Sequence, residues 1–347
     1  YSVLNQKQKK FVNKIINKYK FDYIYKKINS FKDLKILLVG ETIIDEYIFG
    51  DVLGKSGKEP HLVIKENKSE QYLGGAAAIA GHLSSFCKSL DFISLIGKDR
   101  ESLKYVKKKL NHKINAFFFY KDNSPTILKK RFIDNVSKQK ILGVYKINDQ
   151  SPDKNFNKRL QNKIKHKSKN ADIVIVSDYG HGFISDSTAK ILTSLKNMLS
   201  LNAQINASNY SYYSLRKYKN INILIINENE LRFEMRDKDA KVEHLAKMLK
   251  QLFKIKTLIV TRGDQGSLMI RKNSITYCPA FANKVVDKIG AGDTMLSIIS
   301  LCIKNKVPDD LTLFLGSIAG AFSVENIANS KFLDKNKMLR EIEFILK

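Results

Sequence analysis

Residues 35–52 read KILLVGETIIDEYIFGDV. The first five, KILLV, form an apolar block with no polar alternation, too short for a buried helix and suited to a strand covered on both faces. Blocks of the same kind recur at FISLI (92–96), ADIVIV (171–176), NILII (222–226) and TLIV (257–260), with helical stretches between them. Buried strands alternating with helices predict an α/β fold, a doubly wound and mostly parallel central sheet. Past the first block the pattern changes. Residues 46–65 and 115–148 are aromatic and β-branched, alternate more strictly, and are broken by Gly, Pro and Asn-Asp-type turns, so they predict a small accessory β-layer. Asp45 then falls just beyond the first core strand.

Upstream, residues 1–33 carry Phe11, Ile15, Ile16, Tyr19 and the 21–24 cluster at roughly helical spacing among lysines. They predict an amphipathic helical extension that packs on the body formed by residues 34–347, or links it to an upstream domain. The chain opens with Tyr1 instead of Met, which fits a fragment of a longer, fused protein.

With 347 residues and 43% apolar side chains, the chain can bury a large core, which excludes a disordered tail, a collagen-like rod and a disulfide-stapled miniprotein. The net charge of +27 points toward nucleic acid or an anionic membrane. Lysine supplies nearly all of it along the whole chain, however, and arginine, the residue of bidentate phosphate and base readout, is nowhere clustered. No nucleic-acid or membrane partner is therefore expected. Cys87, Cys278 and Cys302 lie far apart without a Cys-x-x-Cys pair, and neither a signal pattern nor an apolar run of spanning length occurs, so a reducing cytoplasm is the expected location. His61, His82, His112, His166 and His244 lack metal spacing and read as core or surface residues.

The sharpest local feature is DKIGAGDTMLSIISLCIK, residues 287–304. Gly290, Ala291 and Gly292 let backbone amides approach an anion, and the start of the helix adds its partial positive charge. Asp293, in the first turn, would be held ionised by that dipole and could take a proton from an alcohol as it attacks phosphorus. Asp293-Thr294 could equally cap a buried helix. Asn227 and Glu230 form Asn-x-x-Glu after a strand, two oxygen ligands suited to magnesium directly or through water, although a solvated helix start looks alike. Thr261, Gly263 and Gly266 make a tight turn against which a nucleotide could lie, or a plain hairpin turn. Asp45 suits vicinal sugar hydroxyls or an N-cap, and Gly74 and Gly75 open a helix of small residues that admits a close-fitting ligand.

The order Asp45, Gly-Gly, Asn-x-x-Glu, Thr-x-Gly-x-x-Gly, Gly-Ala-Gly-Asp resembles the ribokinase family, the phosphofructokinase-B type carbohydrate kinases, over residues 34–345. LLVGETIIDEYIFGDV, LGGAAAIAGHL, SPTILKKRFI and ADIVIVSDYGHG are similar to the heptose 7-phosphate kinase domain of ADP-heptose synthases. The resemblance implies ATP and Mg²⁺ as cofactors, a sugar or sugar phosphate as substrate, and the accessory β-layer as a lid. It implies Asp293 as catalytic base and residues 290–292 as anion hole. It places Asn227 and Glu230 with magnesium and the nucleotide phosphates, and Thr261, Gly263 and Gly266 with the nucleotide. Asp45, Gly74 and Gly75 match substrate positions, and Lys129 and Arg131 face the sugar phosphate.

Departures from the family pattern fall at the substrate end. Ala78 stands for Asn, His181-Gly182 for Lys-Gly, Ile289 for Thr, and Ile205-Asn206-Ala207-Ser208 for Val-Asp-Pro-Lys. They leave open an alternative, a non-catalytic nucleotide- or sugar-binding protein on a kinase fold. The uncovered edges of the lid predict a homodimer through it.

Overall fold

A computed structural model describes residues 4–210 and 215–347. Its strands are β1 Lys35–Lys55, β2 Leu62–Gly74, β3 Ser89–Ile96, β4 Ile114–Tyr120, β5 Ile127–Asp134, β6 Lys140–Lys146, β7 Ile173–Asp178, β8 Met198–Ala203, β9 Ile223–Asn227, β10 Thr257–Thr261, β11 Ser267–Arg271 and β12 Ser274–Cys278. The central sheet runs β4-β3-β1-β7-β8-β9-β10-β11-β12, parallel as far as β10 and antiparallel in its last two strands. Each of the five apolar blocks is a strand of this sheet.

Alternate side chains of those blocks enter different cores, as a doubly wound sheet requires. Ile36, Leu38, Ile173 and Ile175 pack with helices Gly75–Leu83, Ala291–Lys304 and Asp309–Val324. Leu37, Val39, Val174 and Val176 pack on the opposite face with helices Lys154–Ser168, Asp186–Ser194, Glu228–Met235 and Val242–Leu252. β8 escapes the pattern because Ser200 and Asn202 interrupt its apolar run. Both are satisfied internally, Ser200 Oγ at 2.6 Å from Ser300 Oγ and Asn202 Nδ2 donating to the Ile225 carbonyl at 2.9 Å.

β1 belongs to two sheets. Through Glu41 it pairs with β3 and β7, and from Ile43 onward with β2 and β5, to which β6 is added. The second sheet, β2-β1-β5-β6, covers the C-terminal ends of the parallel strands as a lid. Asp45 is therefore inside a continuous strand and not beyond its end. The sequence reads as two elements because burial changes there from two-sided to one-sided. The stretch 115–148 also divides: β4 is an edge strand of the central sheet, its Phe118 against Phe92 and its Phe119 against Phe156, while β5 and β6 form the lid.

Helices Gln6–Lys18 and Phe21–Asn29 lie on the body, with Ile15, Ile24, Ile28 and Phe31 buried in the first core. Asp310, at the start of helix Asp309–Val324, accepts from Lys18 Nζ at 2.8 Å and Tyr19 Oη at 2.7 Å. Among the described residues no helix is long and apolar enough to cross a membrane.

Candidate active site

One cleft of about 1170 Å³ opens at the carboxyl ends of the parallel strands, where open α/β sheets bind ligands. Asp45, Gly75, Lys129, Arg131, Asn227, Glu230, Thr261, Gly263, Gly290, Ala291, Gly292 and Asp293 all line it. Gly74 and Gly266 do not. A methyl group at Gly74 would collide with the Asp45 carboxylate, so this glycine lets the end of β2 back onto Asp45. Gly266, at φ +86°, is required by the turn itself, where a side chain would strike the Cys278 carbonyl.

Gly290, at φ +89°, caps helix Ala291–Lys304, and its carbonyl accepts from Thr294 N at 2.9 Å and Thr294 Oγ1 at 2.8 Å. The first-turn amides have no acceptor within the helix. A side chain built on Gly292 would meet nothing within 4 Å, so the space in front of that turn is open.

Asp293 is buried, and its Oδ1 accepts from Tyr179 Oη at 2.7 Å and Gln204 Nε2 at 3.1 Å. Oδ2 has no protein donor among the described residues. Burial pushes the carboxyl up to about 7 against the opposing hydrogen bond from Tyr179, and the nearby Asp45 charge adds to the rise. Against the sequence expectation that the helix dipole holds Asp293 ionised, desolvation raises the carboxyl and leaves the group near neutrality. Tyr179, just past β7 in the middle of the Asp-Tyr-Gly run, and Gln204, just past β8, join the site beyond the residues that sequence motifs indicate. No local motif marks Gln204.

Asn227 and Glu230 form a capping box at the start of helix Glu228–Met235. Asn227 Oδ1 accepts from Glu230 N at 2.8 Å, and Glu230 Oε2 accepts from Asn227 N at 3.0 Å. Glu230 Oε1 takes Ile205 N at 3.2 Å, and burial pushes this carboxyl up to about 7. Both carboxylate oxygens are engaged, and no group of three or more metal-ligating side chains exists among the described residues. Of the two forms expected, magnesium held directly or through water, this arrangement favours the second. The pair fits a magnesium ion that keeps its own waters and is held mainly by phosphates.

At the lid end, strand register builds the site. β5 sets Lys129 opposite Asp45 and Arg131 opposite Tyr47, and β6 sets Tyr145 opposite Lys129. Residues two apart share a face, while Glu46 and Lys130 pair on the other face at 3.0 Å. Arg131 Nη1 donates to Asp45 Oδ1, and the Arg131 guanidinium lies 5.9 Å from the Tyr145 ring centroid. Lys129 is buried, which pushes its ammonium below the usual range against the opposing pull of Asp45.

Of the departures, Ala78 is fully buried in helix Gly75–Leu83 and does not line the cleft. Asn206 and Ile289 do line it, Asn206 Nδ2 donating to the Tyr179 carbonyl at 2.5 Å. His181 is buried, its Nδ1 2.8 Å from Asp149 Oδ1.

A doubly wound sheet whose strand ends, covered by a four-stranded lid, gather cations, a glycine-rich helix start and a buried carboxylate is the architecture of a carbohydrate kinase. The chain belongs to the pfkB family of carbohydrate kinases, whose model matches residues 33–335. It is 26% identical over 308 residues to the bifunctional protein HldE of Haemophilus influenzae, covering 87% of this chain and 62% of that protein. The chain thus spans less than two thirds of the length of this curated relative. Among solved structures it is similar to Arabidopsis thaliana ribokinase complexed with ribose and ATP (TM-score 0.66, 19% identity, 91% of this chain and 99% of that one). It is also similar to Escherichia coli phosphofructokinase-2 in complex with fructose-6-phosphate (TM-score 0.71, 13% identity, 90% and 100%).

Proposed function

We propose that this chain transfers the γ-phosphoryl group of ATP to a hydroxyl of a phosphorylated sugar, with a heptose 7-phosphate the first candidate. The observation that carries this reading is that one cleft joins the Asp45, Lys129 and Arg131 end to the Gly290–Asp293 turn. The nucleotide lies along Thr261 and Gly263 with its phosphates against the amides of residues 290–292. The sugar sits under the lid against Asp45, its phosphate drawn to Lys129 and Arg131. Tyr179 and Gln204 hold Oδ1 of Asp293, so Oδ2 is presented to the hydroxyl. As the hydroxyl oxygen bonds to the γ-phosphorus, its proton passes to Oδ2 and the bond from that phosphorus to the ADP oxygen breaks. Magnesium, held through its waters by Asn227 and Glu230, supplies neutralisation of phosphate charge when bound. Most of the rate gain comes from positioning and electrostatics.

A radiolabelled phosphate-transfer screen over sugars, sugar phosphates and nucleosides tests the reading. Binding without any product would favour the non-catalytic alternative, whose support from Ala78 is weakened because that residue lies outside the cleft. The motifs similar to heptose 7-phosphate kinase domains, together with buried Lys129 and half-buried Arg131, favour a phosphorylated acceptor. Arg131→Gln is accordingly expected to raise KM for a sugar phosphate by about tenfold or more while changing KM for ATP little. Equal effects on phosphorylated and unphosphorylated sugars would remove the phosphate from this end of the site.

With Asp293 near 7, kcat/KM, which reports the free protein, is expected to fall as pH drops below about 7, approaching tenfold per unit. A profile flat from pH 8 to pH 5 would exclude Asp293 as the base. The lid carries exposed Leu53, Leu62 and Leu142, and pairing of two lids completes the reading as a homodimer. Light scattering showing a monomer at micromolar concentration would dismiss that last element.

A further inference from the structure

Asp287 stands three residues ahead of Gly290, buried, and the chemistry above does not use it. Its carboxylate gathers four donors from three parts of the molecule. Oδ1 accepts from Lys140 Nζ at 2.6 Å and Ile289 N at 3.1 Å, and Oδ2 accepts from Tyr47 Oη at 2.5 Å and Ala328 N at 3.1 Å. Tyr47 and Lys140 belong to the lid strands β1 and β6. Ile289 belongs to the phosphate-facing loop, and Ala328 follows helix Asp309–Val324. Burial opposes ionisation of Asp287, yet Lys140 and Tyr47 hold its carboxyl below the usual range.

The four donors are not equivalent. Two are backbone amides and the Tyr47 hydroxyl is on a fully buried ring, whereas Lys140 is 39% exposed and supplies the one formal positive charge in the set. Its ammonium also lies 5.3 Å from the Tyr47 ring centroid, and the guanidinium of Arg131, the partner of Asp45, lies 5.7 Å from the same ring. A contiguous set of contacts therefore runs from the sugar end of the cleft to the loop that ends at Gly290.

We propose that Lys140 is a positioning residue: the lid delivers its ammonium to Asp287, and this tie holds the Ile289–Gly290 backbone so that the amides of residues 290–292 face the phosphate. Lid placement and anion-hole geometry are then set together. Without the lysine, a buried carboxylate keeps its amide donors but loses its counter-charge, and the loop relaxes. The catalytic consequence rests on the kinase reading; the tie itself does not.

Lys140→Met is the test, with Lys140→Arg as the conservative control, since residue 140 lies at the start of a lid strand and outside both cores. In Lys140→Met, amide hydrogen exchange at Ile289 and Ala328 is expected to quicken by about tenfold. kcat should fall by on the order of tenfold while the Kd for ATP, from calorimetry, stays within about twofold. Lys140→Arg should restore both exchange and kcat. Unchanged exchange in Lys140→Met overturns the proposal, and so does faster exchange with full kcat. If the unaltered protein transfers phosphate to no acceptor, the kinase reading falls, and the exchange measurement alone still decides whether the tie exists.

Discussion

Asp293→Asn is expected to lower kcat by roughly 10²–10⁴-fold while the Kd for ATP changes little. The amide keeps the shape of the carboxylate and can still accept from Tyr179 at Oδ1, so the surrounding packing is retained. What disappears is the proton acceptor that the proposed reaction requires. Stability should move the other way. Asp293 has a folded-state value of about 7 against an ordinary 3.8, so the folded protein binds this proton more tightly than the unfolded chain. The stability that proton contributes is complete below about pH 4 and is lost as pH rises through about 7. At pH 8 a buried carboxylate remains ionised at a cost, which the asparagine removes. Thermal melts should therefore place the variant at or above the unaltered protein at pH 8, with the gap closing toward pH 5. Near-normal turnover in the variant would end the assignment of Asp293 as base, whatever the melts show.

Gly292→Val is expected to leave the fold intact and reduce transfer by about 10²-fold or more. Apart from its chain neighbours and the backbone of its own helix, no atom lies within 4 Å of where the first side-chain carbon would stand, and the backbone there is helical, so packing does not demand a glycine. Only a bound group can. Gly74 and Gly290 differ in this respect, because a side chain at either meets protein atoms, Asp45 in one case and Asn329 Oδ1 at 2.5 Å in the other. Their replacement would confound folding with function. Circular dichroism and melting temperature of Gly292→Val should match the unaltered protein, and nucleotide affinity and kcat should both fall. Full activity would mean that the phosphates lie elsewhere.

The parallel sheet was legible because burial on both faces leaves a recognisable pattern: runs of Val, Ile and Leu in β1, β7, β9 and β10, and in β3 a run broken only by Ser94. β8 was not legible, since Ser200 and Asn202 are polar and their partners, Ser300 and the Ile225 carbonyl, lie far away in the chain. The same holds within the site. Gly290–Asp293 and Asn227–Glu230 are local, each set by the start of one helix, and could be found by spacing. The partners of Asp293 are not, because Tyr179 and Gln204 come from the ends of two other strands. Nor could spacing tell that Glu230 spends both oxygens on amides, one of them from Ile205. The upward shift of Asp293 is hidden for a related reason, since the dipole of its own helix is visible in sequence and its burial is not.

One strand shared by two sheets also fixes how the molecule can flex. β1 carries no break between Glu41, held in the central sheet, and Ile43, held in the lid, so a rotation of the lid against the central sheet would turn about Thr42. At about 3.3 Å per residue, Asp45 stands roughly 10 Å along the lever and Lys55 more than 40 Å along it. Any swing about Thr42 would sweep the far tip about four times as far as Asp45. On that geometry the outer rim would travel far while Asp45 would scarcely leave its place.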